Sequence, residues 1–325
     1  MNTLLILAAV AIFAILMRPA HGITSTGLAT KGLRSEFFNR FDAAKTHYQD
    51  LVTILKSTTK TEDYRWLGSV PQMREWGAGR IAKGLRVESY SVENQKYEAT
   101  LEVDRDEISD DQTGQIRIRI NELALRAATH KDYLLAQLLI NGGSSGFLSY
   151  DGVTYFNDAH VSGASGSQDN NLTFNVTTPA NPTTSEMRDA IMQAVTQMAG
   201  FKDDQGLPMM LDMSGLVLVV PPNHYFNAME AVSAAIVVNT TNVINGLARV
   251  ISFPYLTATD TFYLLKTDGV VRPFVLQDRE PVEFRSMDKD DSEEAFMREK
   301  YLYGVRARYR MTYGYPHYAI RTVLN

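Results

Sequence analysis

Cysteine is absent from this chain of 325 residues. Disulfides, thiolate metal ligands and cysteine nucleophiles are therefore excluded. A basic excess is also lacking, since 32 Lys and Arg stand against 37 Asp and Glu, for a formal net charge of −5. A protein that binds nucleic acid by neutralising phosphates normally has such an excess. The composition therefore does not favour a dedicated nucleic-acid-binding protein.

The histidines do not suggest a metal centre. No two of them have the short spacing of a metal-binding pair, so we interpret each as a polar surface or helix residue. They are His21, His47, His130, His160, His224 and His317. A nucleophile elbow is absent as well. The run Gly142 to Gly146 is not a phosphate loop, because it lacks the Lys. We predict no enzyme activity, no cofactor and no metal.

A cluster of carboxylates precedes the longest helical pattern. Its members are Asp104, Asp106, Glu107, Asp110 and Asp111. Such a cluster can hold a divalent cation or supply a carboxylate pair, but the Gly turn of a calcium-binding loop is missing. We favour the simpler interpretation, in which the acidic residues stabilise the positive end of the following helix.

An apolar run extends from Leu4 to Met17. A membrane-spanning helix needs about 20 residues, so stable membrane insertion is not expected. The run has the length of a signal-peptide core followed by small residues at Ala20-His21-Gly22, but Met1-Asn2-Thr3 carries no positive charge. Three interpretations stay open: a misassigned start or export signal, an interior or inter-subunit helix, and a segment that touches a membrane or another component. We favour the helix.

The pattern from Arg80 to Asp104 predicts two strands joined by a turn at Glu93-Asn94-Gln95. One arm shows apolar residues at every second position, and the other shows a weaker alternation that begins at Leu85 and Val87. The alternating apolar residues of the first arm are Tyr97, Ala99, Leu101 and Val103. An isolated two-stranded ribbon is marginal in water. This one therefore needs a surface to lie on, in its own domain or on another copy of the chain.

Two amphipathic helices are predicted in the middle of the chain. The first covers Thr113 to Asn141, and Gly142-Gly143 is expected to end it because glycine tolerates left-handed backbone angles. The second begins near Ser185, whose hydroxyl is expected to cap it, with Glu186 in the first turn. The side chains expected to be buried in the second helix are Met187, Ile191, Val195 and Met198.

The region from Glu186 to about Lys266 alternates helix and strand, which predicts a compact α/β unit. Leu216–Val220 is expected to be a strand covered on both faces. A helix from Asn223 to Ile236 is expected to bury Phe226, Met229, Val232 and Ile236, and strands follow near 249–253 and 261–265. Gly163 to Thr184, before this unit, is rich in Gly, Ser, Asn and Pro and predicts a long surface loop with one strand-like part at Leu172–Val176.

A strand in the last third carries a row of arginines. Apolar residues alternate from Tyr301 to Met311, so Arg306, Arg308 and Arg310 share the opposite face. Three guanidinium groups in a row repel one another unless anions lie nearby. One candidate partner is the acidic run Asp288, Asp290, Asp291, Glu293 and Glu294. A solvated charged face and a contact with DNA are the alternatives.

Several short strings occur in one order along most of the chain and resemble the major head protein family of Mu-like tailed bacteriophages. The Tyr150-Asp151-Gly152 segment is similar to the family's Tyr-Asp-Gly-Gln-x-Phe-Phe block, and 301–308 is similar to its Phe-Leu-Tyr-Gly-Val-x-Ala-Arg block. The stretches that carry the resemblance are Ser57–Gly68, Val103–Gln112, Ser149–Phe156, Leu218–Pro222, Val250–Leu256, Leu276–Phe284 and Tyr301–Arg308. The apolar run 4–17 departs from the usual family pattern.

The resemblance implies an α+β fold, the tailed-phage major capsid fold first described in phage Hong Kong 97. Residues 1–60 would form an N-terminal arm that includes the apolar segment 4–17, and residues 61–112 an extended β-hairpin loop that overlaps a neighbouring subunit. Residues 113–185 would form a peripheral domain with its long spine helix. Residues 186–270 would form an α/β axial domain, and 271–325 the C-terminal strands of the peripheral domain.

The same resemblance implies a structural protein that assembles with identical subunits, as pentamers and hexamers, into an icosahedral capsid around double-stranded DNA. Contact with the DNA would be non-specific, and decoration, portal and scaffold proteins are possible partners. The protein would reside in the virion after assembly in the bacterial cytoplasm. Candidate inter-subunit contacts are Arg80, Lys83, Arg86, Glu88, Lys96, Glu98, Arg306, Arg308 and Arg310. An encapsulin-like compartment and an exported hydrolase or binding protein are the alternatives.

Overall fold

The computed structural model describes residues 25–64, 90–109, 114–210, 212–237 and 239–325. The chain divides into two compact units. The larger unit contains residues 45–97, 128–282 and 307–325, and the smaller contains the residues before Lys45 together with 98–127 and 283–306. The apolar run 4–17 lies outside the described residues. Within the described ranges, no helix has both the length and the apolar character needed to cross a membrane.

The described residues form the following helices and strands. The helices are α1 (Ser25–Ala43), α2 (Tyr48–Leu51), α3 (Arg105–Ser109), α4 (Gln115–Asn141), α5 (Thr184–Ala199), α6 (Tyr225–Ser233) and α7 (Glu293–Arg298). The strands are β1 (Val52–Lys56), β2 (Thr61–Tyr64), β3 (Tyr90–Glu93), β4 (Gln95–Asp104), β5 (Asn171–Phe174), β6 (Leu216–Val220), β7 (Ile236–Val237), β8 (Thr240–Thr241), β9 (Ala248–Ser252), β10 (Thr261–Lys266), β11 (Phe274–Met287), β12 (Lys300–Tyr313) and β13 (Ala319–Leu324).

A five-stranded sheet in the order β5-β13-β10-β6-β9 lies in the larger unit. Strand β6 is parallel to β9 and antiparallel to β10, while β13 is antiparallel to β10 and parallel to β5. Every side chain of β6 is buried, which confirms the predicted strand covered on both faces. The last strand of the chain, β13, completes this sheet, so the α/β region 186–266 does not build it alone.

The two faces of this sheet bury different cores because successive side chains of a strand point to opposite sides. Val217 and Val219 of β6 belong to a core that also contains Leu135 and Leu139 of α4. Leu216, Leu218 and Val220 belong to a second core, which the side chains of α5 and α6 complete. Burial on both faces explains why β6 reads as an unbroken apolar run.

Helix α5 confirms its predicted buried stripe but begins at a different cap. Met187, Ile191, Val195 and Met198 are buried as predicted, together with Ala190 and Ala194. The cap is Thr183, whose hydroxyl accepts the Glu186 amide while the Glu186 carboxylate accepts the amide of Thr183. The prediction that Ser185 caps the helix is therefore wrong. A capping box places Glu at the third helical position, and Glu186 stands three residues after Thr183.

Helix α6 is shorter than predicted and buries a different face. Pro222–His224 forms a 3₁₀ turn, and the α-helix ends at Ser233. Its buried residues are Ala228, Ala231 and Val232. Phe226, Met229 and Ile236, which the sequence pattern predicted to be buried, are exposed. The small alanines let α6 pack closely on α5 and β9, and its large apolar side chains point to solvent.

The predicted hairpin with a turn at Glu93-Asn94-Gln95 is wrong for the described residues. Strand β3 pairs antiparallel with β2, from Thr61 opposite Glu93 to Tyr64 opposite Tyr90. Strand β4 instead lies at the edge of a second sheet, in the order β1-β11-β12-β4. The residues predicted to start the other arm, Leu85 and Val87, lie outside the described residues. The alternation of apolar and polar residues indicated the strands, but β3 pairs with β2, which precedes it in the chain, and not with β4.

The glycines after α4 end the helix for a reason that the sequence did not show. Neither Gly142 nor Gly143 has a positive φ. A Cβ on Gly142 would lie 2.7 Å from Cδ2 of Phe156, and a Cβ on Gly143 would lie 2.6 Å from Nη1 of Arg321. Glycine is therefore required here by close packing of side chains, not by left-handed backbone.

The predicted surface loop 163–184 is only partly a surface loop. Ser165, Gln168 and Asn170 are buried, and Gln168 accepts the amide of Lys202 while donating to its carbonyl oxygen. The strand-like part is present as β5. Its pairing with β13 gives the loop a place in the sheet of the larger unit.

In the smaller unit, aromatic side chains fix helix α1. Phe37 is fully buried, and its ring centroid lies 4.9 Å from that of Phe284 and 6.0 Å from that of Phe41. The described members of the carboxylate cluster lie at helix α3, where Asp104 accepts the amide of Asp106. The first turn of α4 carries no acidic residue. The described carboxylates therefore stand at α3 and not, as predicted, at the start of the long helix.

Candidate functional site

Strands β2 and β3, with the turn before β2, form a hydrogen-bonded polar region on either side of the undescribed segment 65–89. Strands β2 and β3 bracket this segment, and each has only four residues. A ribbon of this length is marginal by itself. Its position therefore depends on contacts with the turn 57–60 and with strand β11.

Glu62 organises the turn between β1 and β2. Its Oε1 accepts the amides of Thr58 and Thr59 at 2.9 and 3.1 Å and the hydroxyl of Ser57 at 2.8 Å. The backbone amides of Thr59 and Thr58, followed by the Ser57 hydroxyl, lower the pKa of Glu62 to about 2. The carboxylate is therefore ionised at any physiological pH and holds the turn closed.

Asn94, the residue after β3, is hydrogen-bonded to the same turn. Its Nδ2 donates to Oγ of Ser57 at 2.7 Å and to the carbonyl oxygen of Thr59 at 3.0 Å. Its backbone amide donates to the carbonyl oxygen of Lys60 at 3.0 Å. Asn94 is buried, so these bonds replace water and fix β3 against the turn.

Gln277 of β11 connects the paired strands to the body of the larger unit. Its Oε1 accepts the hydroxyl of Tyr64 at 2.7 Å, and its Nε2 donates to the carbonyl oxygen of Val92 at 3.3 Å. One amide side chain thus bonds β2 and β3 together. Gln277 is only 1% exposed, and leaving either partner without it would bury an unpaired polar group.

Ser57, Glu62, Tyr64, Asn94 and Gln277 together are called the β2–β3 anchor below. Sequence reasoning did not select any of them as site residues. A signal was present, however, because four of the five lie in stretches that carry the family resemblance, 57–68 and 276–284. Asn94 was interpreted only as a turn residue.

Arg308 and Arg310 of β12 have partners inside the larger unit. Nη1 of Arg308 lies 3.7 Å from Oε1 of Glu280, on β11. Arg310 is hydrogen-bonded to Tyr97. Burial raises the pKa of Tyr97, and the guanidinium of Arg310 opposes that rise. Arg306 is exposed. The alternation itself is confirmed, because the apolar side chains from Tyr301 to Met311 are buried.

The acidic run 288–294 is not the partner of Arg308 that the sequence suggested. Within the smaller unit, Oδ1 of Asp290 lies 3.6 Å from Nη2 of Arg105 and accepts the hydroxyl of Tyr301. Glu294 pairs with Arg298 one turn later on α7. Glu280 takes the place of the run at Arg308 because β11 and β12 are neighbours in one sheet.

The other predicted contact residues are divided between solvent and the undescribed part of the chain. Lys96 and Glu98 are exposed on β4, and the Glu98 carboxylate accepts the hydroxyl of Thr100. The remaining four lie outside the described residues: Arg80, Lys83, Arg86 and Glu88.

The larger unit exposes large apolar side chains on and beside α6. Phe226 and Met229 stand one turn apart on one face of the helix, and Ile236 follows just after it. Phe226 is 77% exposed and Ile236 is 67% exposed. Single exposed apolar residues are ordinary, but several on one short segment make that segment a candidate contact surface. Phe226, Met229 and Ile236 are called the α6 surface below.

Three histidines that were interpreted as surface or helix residues are buried: His160, His224 and His317. Nδ1 of His160 lies 2.5 Å from Oδ2 of Asp151, and Nε2 lies 3.1 Å from the carbonyl oxygen of Tyr155. Burial lowers the pKa of His317 to about 4, and the neighbouring His160 adds to this. In the described ranges, no group of three potential ligands is placed to hold a metal ion.

Comparison with known sequences gives a family. The profile of the Mu-like prophage major head subunit gpT matches residues 27–185, 181–256 and 257–324. The major capsid protein of Escherichia phage Mu is 23% identical over 88% of this chain and 70% of its own length. The Mu-like prophage FluMu major head subunit of Haemophilus influenzae is 32% identical, over 41% of this chain and 42% of its own length.

Comparison with solved structures gives the fold. The procapsid of bacteriophage JBD30 matches with a TM-score of 0.52 at 23% identity, covering 91% of this chain and 75% of that one. The mature capsid of bacteriophage PhiM1 matches with a TM-score of 0.57 at 9% identity, covering 86% and 87%. The capsid of cyanophage P-SCSP1u matches with a TM-score of 0.55 at 11% identity, covering 87% and 89%.

The α+β architecture is therefore that of tailed-phage capsid proteins. The family match extends over nearly the whole described chain. This chain belongs to the Mu-like prophage major head subunit family, and it is a major capsid protein.

Proposed function

We propose that copies of this chain assemble, through pentamers and hexamers, into a closed icosahedral shell that encloses double-stranded phage DNA. The observation that carries the proposal is the family match across residues 27–324. The α6 surface supports it, because a lone subunit would leave large apolar side chains in water. Each such side chain contributes about 1.5–3 kcal/mol when it is fully buried. The role is structural, and no catalytic step is part of it.

The parts of the chain take the following roles in the proposal. Residues 1–60 form the N-terminal arm, with the apolar segment 4–17 as an interior or inter-subunit helix. Residues 61–112 form the extended loop, and the pairing of β2 with β3 supports a loop that leaves at Tyr64 and returns at Tyr90. Residues 113–185 and 271–325 form the peripheral domain around the long helix α4, and 186–270 form the axial domain. Strand β13 joins the axial sheet.

Contacts between subunits are proposed for the charged residues of the loop, for Lys96 and Glu98, and for the arginines of β12. The exposure of Lys96, Glu98 and Arg306 supports this. Arg308 can contribute only in part, because Glu280 already neutralises it. A net charge of −5 is consistent with non-specific contact to the enclosed DNA, since a strongly basic wall would bind the phosphates tightly.

Further partners are proposed by analogy with named relatives. One JBD30 capsid structure is described as decorated with minor capsid protein trimers, and it matches this chain with a TM-score of 0.50 at 16% identity. A decoration protein, a portal and a scaffold are therefore candidate partners here. The protein would be found in the virion, after assembly in the cytoplasm of the host bacterium.

Electron microscopy of the expressed full-length chain tests the proposal. Closed polyhedral shells or capsomer rings are expected, and particles from infected or induced cells should protect DNA from added nuclease. A chain that stays monomeric at high concentration would overturn self-assembly. Shells that hold a protein cargo and no nucleic acid would instead favour an encapsulin-like compartment.

A further inference from the structure

We infer that the β2–β3 anchor is a positioning device that fixes Tyr64 and Tyr90, the described residues on either side of the proposed loop segment 65–89, and that shell assembly requires it. The inference rests on the proposed function, since it gives the extended loop a contact with a second copy of the chain. It adds residues that hold the loop without themselves touching the neighbour.

The first step is that the paired strands cannot hold their own direction. Strands β2 and β3 have four residues each, and the two form a sheet with no third strand among the described residues. Two-stranded ribbons of this length are marginal in water and twist freely. Something outside the pair must therefore fix it.

The second step is that the anchor fixes both strands at both ends of their paired region. Near Thr61 and Glu93, the Glu62 carboxylate closes the turn and Asn94 bonds to it. Near Tyr64 and Tyr90, the Tyr64 hydroxyl bonds Gln277, and the Tyr90 hydroxyl lies 2.7 Å from Oγ1 of Thr312 on β12. Two separated attachment points prevent a rigid body from swinging, whereas one would permit it.

The third step is that the anchor adds directional bonds to an apolar contact. Tyr64 and Val92 pack on Val275 in a small apolar cluster. Burial is non-directional, whereas hydrogen bonds prefer a narrow range of angles. A buried amide that bonds both strands, as Gln277 does, therefore specifies geometry and not merely attachment.

The position of β2 and β3 affects the contact that is proposed with a second copy of the chain. Under the proposed function residues 65–89 contact another copy of the chain, so a rotation of β2 and β3 would displace Tyr64 and Tyr90, the residues between which that segment lies. A closed shell repeats one geometry through every subunit. An error at the anchor would thus be repeated at every contact and would prevent closure.

The test uses the full-length chain and variants in a shell-yield assay by sedimentation and electron microscopy. Glu62→Ala removes the acceptor of three donors, and Glu62→Gln keeps a carbonyl oxygen in its place. Tyr64→Phe removes only the hydroxyl that bonds Gln277. Tyr313→Phe is the matched control, because this buried tyrosine bonds the carbonyl oxygen of Leu138 and lies outside the anchor. Deletion of residues 70–84 tests the proposed role of the loop separately.

We expect at least a tenfold loss of shell yield for Glu62→Ala and Tyr64→Phe, substantial rescue by Glu62→Gln, and wild-type yield for Tyr313→Phe. Hydrogen exchange of the unassembled variants should accelerate at the amides of 61–64 and 90–93 and stay unchanged in β6 and β10. That localised change separates positioning from general loss of stability, and a variant that exchanges fast throughout would overturn the positioning role.

Three results would overturn parts of this account in distinguishable ways. Wild-type shells from the anchor variants, with no shells from the deletion, would reject the anchor and keep the loop contact. Wild-type shells from the deletion would reject the loop contact in the proposed function. An equal loss in Tyr313→Phe would show that any lost tyrosine hydroxyl has the same effect, which rejects the anchor.

Discussion

At the scale of single residues, several polar groups that sequence reasoning regarded as surface features are buried. His317 is the clearest case, since only 6% of it is exposed and its ring meets Phe201 edge-on at 5.9 Å. The charged or titratable groups that act on it are His160, Asp151 and Asp203. Nothing in the sequence around His317 distinguishes it from an exposed histidine, because the neighbours come from distant parts of the chain.

His317 predicts a loss of stability in mild acid. In the unfolded chain an imidazole takes up a proton below about pH 6.5, whereas burial keeps the folded imidazole neutral until about pH 4. Protonation therefore favours the unfolded chain as the pH falls through this window, by about 3 kcal/mol for His317 at its lower end. Denaturant unfolding at stepped pH measures this. The variant His317→Gln should flatten the dependence, and an unchanged slope would contradict the assignment.

Replacing glycine by alanine is expected to have opposite effects on stability at two positions. Gly142→Ala places a Cβ 2.7 Å from the Phe156 ring and should destabilise by about 1–3 kcal/mol through overpacking. Gly32 lies in helix α1 without a positive φ, and a Cβ added there would meet nothing within 4 Å. Gly32→Ala should therefore stabilise by up to about 1 kcal/mol. Thermal unfolding compares them, and a neutral Gly142→Ala would show that Phe156 can move.

At the scale of elements, local periodicity correctly predicted those features of helices and strands that depend on residues close together in the sequence. The buried stripe of α5, the doubly covered β6 and the alternation of β12 were all predicted, because each is a direct consequence of a helical or strand period meeting a core. The pairing of β3 with β2 was not, since it joins residues separated by the segment 65–89. The position of β13 in the five-stranded sheet was missed for the same reason.

The cap of α5 predicts a separable contribution to stability. Thr183→Ala removes the hydroxyl that accepts the Glu186 amide and should cost about 1 kcal/mol. The carboxylate of Glu186 also bonds Thr177, and these hydrogen bonds lower its pKa to about 2. The matched control is Ser185→Ala, which alters the residue that the sequence pattern favoured. Equal losses in chemical denaturation would contradict the assignment of Thr183 as the cap.

At the scale of the whole molecule, the failure to predict α6 has a physical reason. Sequence reasoning assigned every large apolar side chain of an amphipathic pattern to the subunit's own core. In a shell subunit of the proposed kind, part of the apolar surface contacts other copies. A helix can therefore have a correctly predicted apolar face that points away from its own core. Ala228 and Ala231 show the alternative, because small side chains permit the closest helix packing although they contribute little to an apolar pattern.

The α6 surface predicts an assembly defect without a folding defect. Phe226→Lys places a charge where an identical subunit is proposed to pack, and burying an unpaired charge is costly. The subunit itself should lose less than about 0.5 kcal/mol of stability, as exposed substitutions usually do. Val270→Lys is the control, because Val270 is 98% exposed and follows β10 in the chain, outside the α6 surface. Electron microscopy should show shells for Val270→Lys and none for Phe226→Lys. If Phe226→Lys built shells at wild-type yield while remaining folded, the α6 surface would face solvent in the assembled particle, and the apolar contacts between subunits would have to lie elsewhere.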